Sequence, residues 1–413
     1  VGSYAVQKVC RSCDIGSIEV FLNLGSQPLA NALVPIGTDR LAESRYPLEL
    51  GRCTDCGLVQ LTTTVDPSEL FVDYNYASSY SDVVVASAQT LVDRLIDQRL
   101  LGGDALAIEI ASNDGYLLRS YVERGVPVLG VDPARNLADR ARQVGVETLS
   151  EFFSLELAEQ LVAQGRQASV VHANNVIAHV PDLNGVLAGI AKVLRPDGIA
   201  VFESPWIRWF IDNLEFDTTY HEHLFYYSLT SFRSALLRNG LDVVDVEQLP
   251  IHGGTLRVMA THTQSCVATP TVADTLALEQ QLGLNDHELY AGYAARVTQL
   301  GNQLIDLLKD LKAGGASIAA YGAAAKGAVL LNTFGIDELF IDFVADRSPL
   351  KQGQQMPGVG VPTVAPDQLV VQQPDYALLL AWNHADEVVA QQRAYIEAGG
   401  RFIVPVPTPT IVP

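Results

Sequence analysis

The chain has little of what a membrane protein or a nucleic-acid-binding protein needs. No stretch of about 18 uninterrupted apolar residues occurs in its 413 residues, so no membrane-spanning helix is expected. There is no run of Lys or Arg, and 27 basic against 47 acidic residues leave a formal charge of −20. A surface of that sign repels phosphodiester backbones, which argues against nucleic acid as a partner. The first residues, Val1-Gly2-Ser3-Tyr4-Ala5, lack a basic region followed by an apolar run, so no signal peptide is visible and a cytoplasmic monomer is expected. What is plentiful is apolar material: 48% hydrophobic residues against 18% charged, enough for packed cores in two or three domains.

Cysteine is scarce, but its placement is informative. Of five cysteines, four form two C-x2-C knuckles, Cys10-Arg11-Ser12-Cys13 and Cys53-Thr54-Asp55-Cys56. Each knuckle can present two thiolates to one tetrahedral Zn²⁺. The 39 intervening residues exceed the usual ribbon spacing, and a loop or hairpin can fill them. Arg52 and Gly57 flank the second knuckle as a tight metal turn would require. In a chain without a secretory signal, zinc is the better reading than redox pairs or disulfides. Four cysteines leave no open coordination position, so the site is read as structural. Cys266 reads as a buried small residue or free thiol.

Glycine is sparse where a dinucleotide site would need it, and the G-x-G-x-x-G pattern is absent. In its place stands Ala107-Ile108-Glu109-Ile110-Ala111-Ser112-Asn113-Asp114-Gly115-Tyr116-Leu117-Leu118. It reads as an apolar strand, a tight small-residue turn and a helix opening at once. About one strand later, Asp132 closes Leu129-Gly130-Val131-Asp132-Pro133, a position suited to a ribose diol. These features point away from a pyrophosphate and toward a phosphate-free nucleoside such as S-adenosylmethionine.

Residues 1–68 read as a zinc module, followed by a helical connector over about 69–104. Strands are expected at 105–111, 127–132, 146–149, 168–173 and 198–203, with helices between them. Two more, at 241–246 and 256–263, lie close together. Leu194-Arg195-Pro196-Asp197-Gly198 reads as a helix stop and turn. This alternation matches the seven-stranded sheet of class I methyltransferases, placed at 69–270. After a helical region to residue 311, a second α/β unit (271–413) is expected. Its strands are placed at 317–320, 340–344, 376–381 and 402–406, with a small-residue turn at 321–327 and a helix at 328–334.

The densest titratable cluster is Tyr220-His221-Glu222-His223, in a loop after the fifth strand. Abstracting a proton needs a base and a stabiliser for the charge left behind. Histidine has the right ordinary pKa for the base, with Tyr or Glu as partner. A metal site or a surface turn is the other reading of this cluster. His179 follows the fourth strand; a lone histidine is more often structural.

The three-part order resembles the three-domain nucleotide-sugar C-methyltransferases, especially the C-3′-methyltransferases of deoxysugar biosynthesis. The resemblance rests on the four cysteines, the Glu109–Leu118 stretch, Ala178-His179-Val180-Pro181 and Phe216-Asp217-Thr218-Thr219-Tyr220-His221-Glu222-His223. It rests also on His252-Gly253-Gly254, Tyr321-Gly322-Ala323-Ala324-Ala325-Lys326 and Ala381-Trp382-Asn383-His384.

The resemblance implies C-methylation of a TDP-linked 4-keto-deoxysugar beside the ketone, at C-3′, through a base-generated enolate. O- or N-methylation and a non-catalytic zinc-containing binding protein are the alternatives. It places functional residues at Tyr220, Glu222, His223 and His179, with His223 first as base, and a tyrosine region at Tyr74 and Tyr76. Glu109, Ala111, Asn113 and Gly115 form the cofactor turn, with Asp132 for ribose, Phe152 for adenine and Asn174 for the methionine part. Ala111 replaces the family's usual glycine, at little cost where φ is negative. His252, Lys326, Asn383 and His384 fall to the sugar nucleotide. Lys326 would pair with the diphosphate at a helix N-terminus; Asn383 and His384 could instead cap the following helix.

Overall fold

In a computed structural model, residues 4–71, 77–99, 101–251 and 253–413 are described. The N-terminal strands are β1 (Ile18–Gln27), β2 (Tyr46–Cys53) and β3 (Val59–Leu61). β1 pairs antiparallel with β2, from Ile18 opposite Cys53 to Gln27 opposite Tyr46. The long spacing between the knuckles is therefore largely taken up by two paired strands. Along β2 the side chains of Tyr46, Leu48 and Leu50 are buried at period two, as a half-covered sheet demands. Leu22, Leu48, Leu50, Val59 and Leu61 belong to the same apolar cluster as the central sheet.

The central sheet contains β4 (Ala107–Ile110), β5 (Val128–Val131), β6 (Thr148–Leu149), β7 (Ala168–Asn174) and β8 (Leu194–Pro205). After β9 (Phe225–Tyr226), considered below, come β10 (Leu241–Leu249) and β11 (Thr255–His262). The seven strands lie in the order β10-β11-β8-β7-β4-β5-β6. β4 to β8 pair in parallel, and β11 runs antiparallel between β8 and β10. This is the class I methyltransferase sheet. β4 and β5 are buried at every residue, as parallel strands covered on both faces must be.

Two local expectations change. The first helix does not open at once: it spans Leu118–Glu123, after a turn over 111–117. The residues Leu194–Gly198 fall within β8. There Ala168 pairs with Leu194 and Val170 with Ile199, so Arg195–Gly198 bulge out of the ladder. The expected turn survives as that bulge.

The C-terminal sheet has β12 (Ile318–Tyr321), β13 (Val344–Ala345), β14 (Thr363–Val364), β15 (Tyr376–Leu379), β16 (Arg401–Val404) and β17 (Thr410–Val412). Their order β14-β13-β12-β15-β16-β17 is that of a dinucleotide-binding sheet. β13 is shorter than the expected 340–344 because the N–H groups of Phe340 and Ile341 turn back to the Asp337 carbonyl. The carboxyl ends of β4, β5 and β7 and the first turn of the helix after β12 open on one common cavity. Among the described residues no helix is long and apolar enough to cross a membrane.

Candidate active site and metal site

The four knuckle thiols converge: their Sγ atoms all lie within 4.8 Å of one another. Cys10 and Cys56 are 3.6 Å apart, Cys13 and Cys53 3.5 Å, close to the edge of a ZnS₄ tetrahedron. The set fits zinc for a second reason. N–H groups of Ser12, Gly16, Asp55 and Cys56 and the Gln60 amide point at these sulfurs, an arrangement that favours thiolate. Gly57, at φ +73°, makes the turn after the second knuckle.

The common cavity has a volume of about 770 Å³. At one end Asp132, just past β5, accepts from the N–H of Asn113 at 2.7 Å and of Ala134 at 2.8 Å. Burial raises its pKa and those two N–H groups oppose the rise. A carboxylate has about four acceptor sites, so two remain for a diol. Ala111, Asn113, Phe152 and Asn174 line the same end. Glu109 and Gly115 do not. Glu109 lies in β4, 1% exposed, and burial pushes its pKa well up, with Asp132, Asp114 and Glu203 adding to the effect. Gly115 has φ +80°, and an added Cβ would press on Val146 and Ala141. The condition for a low cost at Ala111, a negative φ, is not met: its φ is +55°, and Asn113 has +52°. The left-handed region costs a non-glycine residue about 1–2 kcal/mol, so this turn holds strain that a glycine would avoid.

The middle of the cavity carries His179, Tyr220 and His223. His223 Nδ1 lies 2.8 Å from the Thr218 carbonyl and His179 Nδ1 2.7 Å from the Glu222 carbonyl. A carbonyl only accepts, so each Nδ1 carries the proton and each Nε2 the lone pair. The two rings stand edge to face with centroids 5.0 Å apart, and the Tyr220 ring is 3.9 Å from that of His223. Burial first, then His179 and Lys326, push the His223 pKa down to about 3 against the Thr218 carbonyl. Burial also lowers His179. Both imidazoles are therefore neutral at neutral pH.

The neighbours of this pair turn away. Glu222 does not line the cavity; its Oε1 accepts from Asn31 Nδ2 at 2.7 Å, and burial raises its pKa to about 7. His221 lies against β2, 3.3 Å from the Pro47 carbonyl. Tyr74, Tyr76 and His252 lie outside the described residues. The adjoining Gly254 lines the cavity at φ +117°, where an added Cβ would strike the Trp209 ring at 2.1 Å. Gly254 thus belongs both to the turn between β10 and β11 and to the wall.

At the far end stand Lys326 and Asn383. Lys326 lies in the first turn of helix Ala325–Phe334, its Nζ 4.4 Å from the Trp382 ring centroid. Trp382 Nε1 donates to Asp217 Oδ2 at 2.6 Å. Burial raises Asp217 to about 6, with Lys326 opposing. His384 is outside the main cavity, its side chain 61% exposed and 3.9 Å from Glu387. His384 occupies the N-cap position of helix Ala385–Gln391, but neither its side chain nor that of Asn383 makes a capping hydrogen bond.

Sequence reasoning passed over Trp209, Glu215, Thr218 and Tyr226, all in the wall. The aromatic-rich run Trp206-Ile207-Arg208-Trp209-Phe210 directly after the fifth strand was the available signal. Glu215 carried none.

Three family models match the chain: a zinc binding domain over residues 10–71, a methyltransferase domain over 86–246 and a C-methyltransferase C-terminal domain over 250–407. The chain is 36% identical to the C-methyltransferase NovU of Streptomyces niveus over 98% of its own length and 96% of that protein's. It is 26% identical to a ubiquinone biosynthesis O-methyltransferase of Bartonella bacilliformis, over 33% of the chain and 60% of that protein. Among solved structures it is similar to the magnesium protoporphyrin IX methyltransferase of Synechocystis with bound S-adenosylmethionine. There the identity is 15% and the TM-score 0.34, over 46% of the chain and 86% of that structure.

Proposed function

We propose the following reaction for this chain, which belongs to the S-adenosylmethionine-dependent C-methyltransferase family: methyl transfer to the carbon beside the ketone of a TDP-linked 4-keto-deoxysugar, at C-3′. One observation carries this reading. Two neutral imidazoles with their Nε2 lone pairs stand in the wall of a cavity between the Asp132 turn and the polar end at Lys326. When bound, S-adenosylmethionine supplies an electrophilic methyl group on a sulfonium.

This chain's residues do the rest. His223 Nε2 takes the proton from the carbon beside the ketone, and the electron pair of that C–H bond passes to the carbonyl oxygen as an enolate. The enolate carbon then forms its bond to the methyl as the sulfur–methyl bond breaks. Tyr220 borders the same space and supplies a hydroxyl donor to the enolate oxygen, while the His179 ring packs edge to face on His223. His223 is a weak base because burial, His179 and Lys326 outweigh the Thr218 carbonyl; the enolate anion formed beside it compensates the imidazolium. Thr218 fixes the His223 ring, and the main chain of Glu222 fixes that of His179.

Lys326 retains its assignment to the diphosphate. Glu215, half-buried and held by Asn213 Nδ2 at 3.0 Å, adds an acceptor for sugar hydroxyl groups at the same end. The test is exchange of the substrate C–H with deuterated water, without methyl donor, using TDP-4-keto-6-deoxyglucose. Wild type should exchange the proton at C-3′, and His223→Asn should lose about 10²–10⁴-fold in rate while still binding both ligands. Methylated product on oxygen, with no exchange at carbon, would overturn the proposal.

A further inference from the structure

The strand that follows His223 does not pair with the methyltransferase sheet. β9 (Phe225–Tyr226) is the edge of the zinc module's sheet, whose order is β9-β3-β2-β1. Phe225 lies opposite Gln60 and Tyr226 opposite Val59, and the Leu61 N–H donates to the Leu224 carbonyl at 2.9 Å. Phe225 and Tyr226 both line the reaction cavity. The knuckles and the catalytic segment are thus two sides of one small sheet.

Gln60 joins those sides. It is 0% exposed and its Nε2 donates to Cys10 Sγ at 3.1 Å. Its Oε1 accepts from the Arg11 main-chain N–H and from Arg11 Nη1, both at 3.2 Å. Arg11 also donates to the Leu61 carbonyl at 2.6 Å, and its guanidinium sits 5.8 Å from the Phe225 ring centroid. Two further contacts tie the module to the same segment: Asn31 to Glu222, and Pro47 to His221. The His179 ring rests on the Glu222 carbonyl, so a shift of this segment moves both imidazoles.

We propose that Gln60 is a positioning residue that couples the zinc knuckles to the catalytic segment, so that metal occupancy sets the placement of residues 218–226. The methyl-donor turn at 111–117 is built on β4 and β5, outside this sheet, and is independent of it. Groups that orient metal ligands typically change a site's function by 10–100-fold when removed. Here the effect falls on the sugar side of the cavity and spares the donor side.

The test compares holo wild type, zinc-stripped wild type and holo Gln60→Leu, a change close in volume that removes all three amide contacts. Amide hydrogen exchange is read at 218–226 and at 111–118, together with zinc content and S-adenosylmethionine affinity. Stripping should speed exchange at 218–226 about 10-fold or more, leaving 111–118 and donor affinity within about 2-fold. Gln60→Leu should do the same with zinc still bound, and should raise KM for the sugar nucleotide without changing KM for the donor. Unchanged protection at 218–226 in either protein overturns the coupling. So does a parallel loss at 111–118, which would mean general loosening. The exchange, zinc and donor-affinity readouts need no turnover, so they hold even where the proposed reaction fails with the probe sugar; only the KM comparison rests on that reaction.

Discussion

The depressed basicity of His223 can be tested by acidifying the assay. An ordinary imidazole titrates near 6.5, so only about one-tenth of it would be neutral at about pH 5.5. The His223 pKa of about 3 leaves more than about 99% neutral at the same pH. The rate of substrate C–H exchange under kcat/KM conditions, which report the free enzyme, should therefore stay within about twofold between about pH 7.5 and 5.5. An ordinary histidine base would lose about tenfold over that range. Two other groups titrate inside the window: Glu222 at about 7, bonded to Asn31, and Asp217 at about 6, facing Lys326 and Trp382. Glu222→Gln and Asp217→Asn remove their contributions. An acid limb of unit slope centred near 6.5 that persists in both variants would refute the burial argument for His223 and His179.

Metal analysis of freshly purified protein should give about one zinc per chain, and Cys53→Ser should lower it; Cys10–Cys13 and Cys53–Cys56 disulfides would exclude the site. Asp132→Ala should weaken donor binding by about 1–3 kcal/mol in calorimetry, since a charge-assisted acceptor for the ribose is lost; unchanged affinity would remove Asp132 from the site. Ala111→Gly relieves a left-handed alanine at φ +55° and should stabilise the protein to urea by about 1 kcal/mol. A destabilised variant would show that the turn is not strained there.

Local signals made much of this protein legible. Strands β4, β5 and β7 stood out because a buried parallel strand is a short apolar run bounded by turn residues, visible without knowledge of its neighbours. Two C-x2-C knuckles announced a metal site because two thiolates at that spacing reach one ion whatever lies between. The place of Asp132 at a strand end was readable too, and its carboxylate meets the Asn113 turn there. Alternation also anticipated the second α/β unit, although 340–344 contracted to Val344–Ala345.

Tertiary structure decided the rest. Tyr220-His221-Glu222-His223 reads as one cluster along the chain. In space it divides three ways: Tyr220 and His223 into the cavity, His221 toward Pro47 and Glu222 toward Asn31. Successive residues in a tight turn point in different directions, and which direction meets a partner depends on segments more than 170 positions away. Phe225–Tyr226 carries no mark of its partner strand, because side-chain periodicity fixes which face of a strand is buried and not which edge pairs with it. Glu215 and Trp209 became wall residues only when helix Ile207–Asp212 and the Gly253-Gly254 turn were packed together. The sign of φ at Ala111 was set by the geometry between β4 and Asp132, which composition does not encode. The sequence by itself determined the elements and the kinds of chemistry present; packing between distant segments determined which side chains share the cavity.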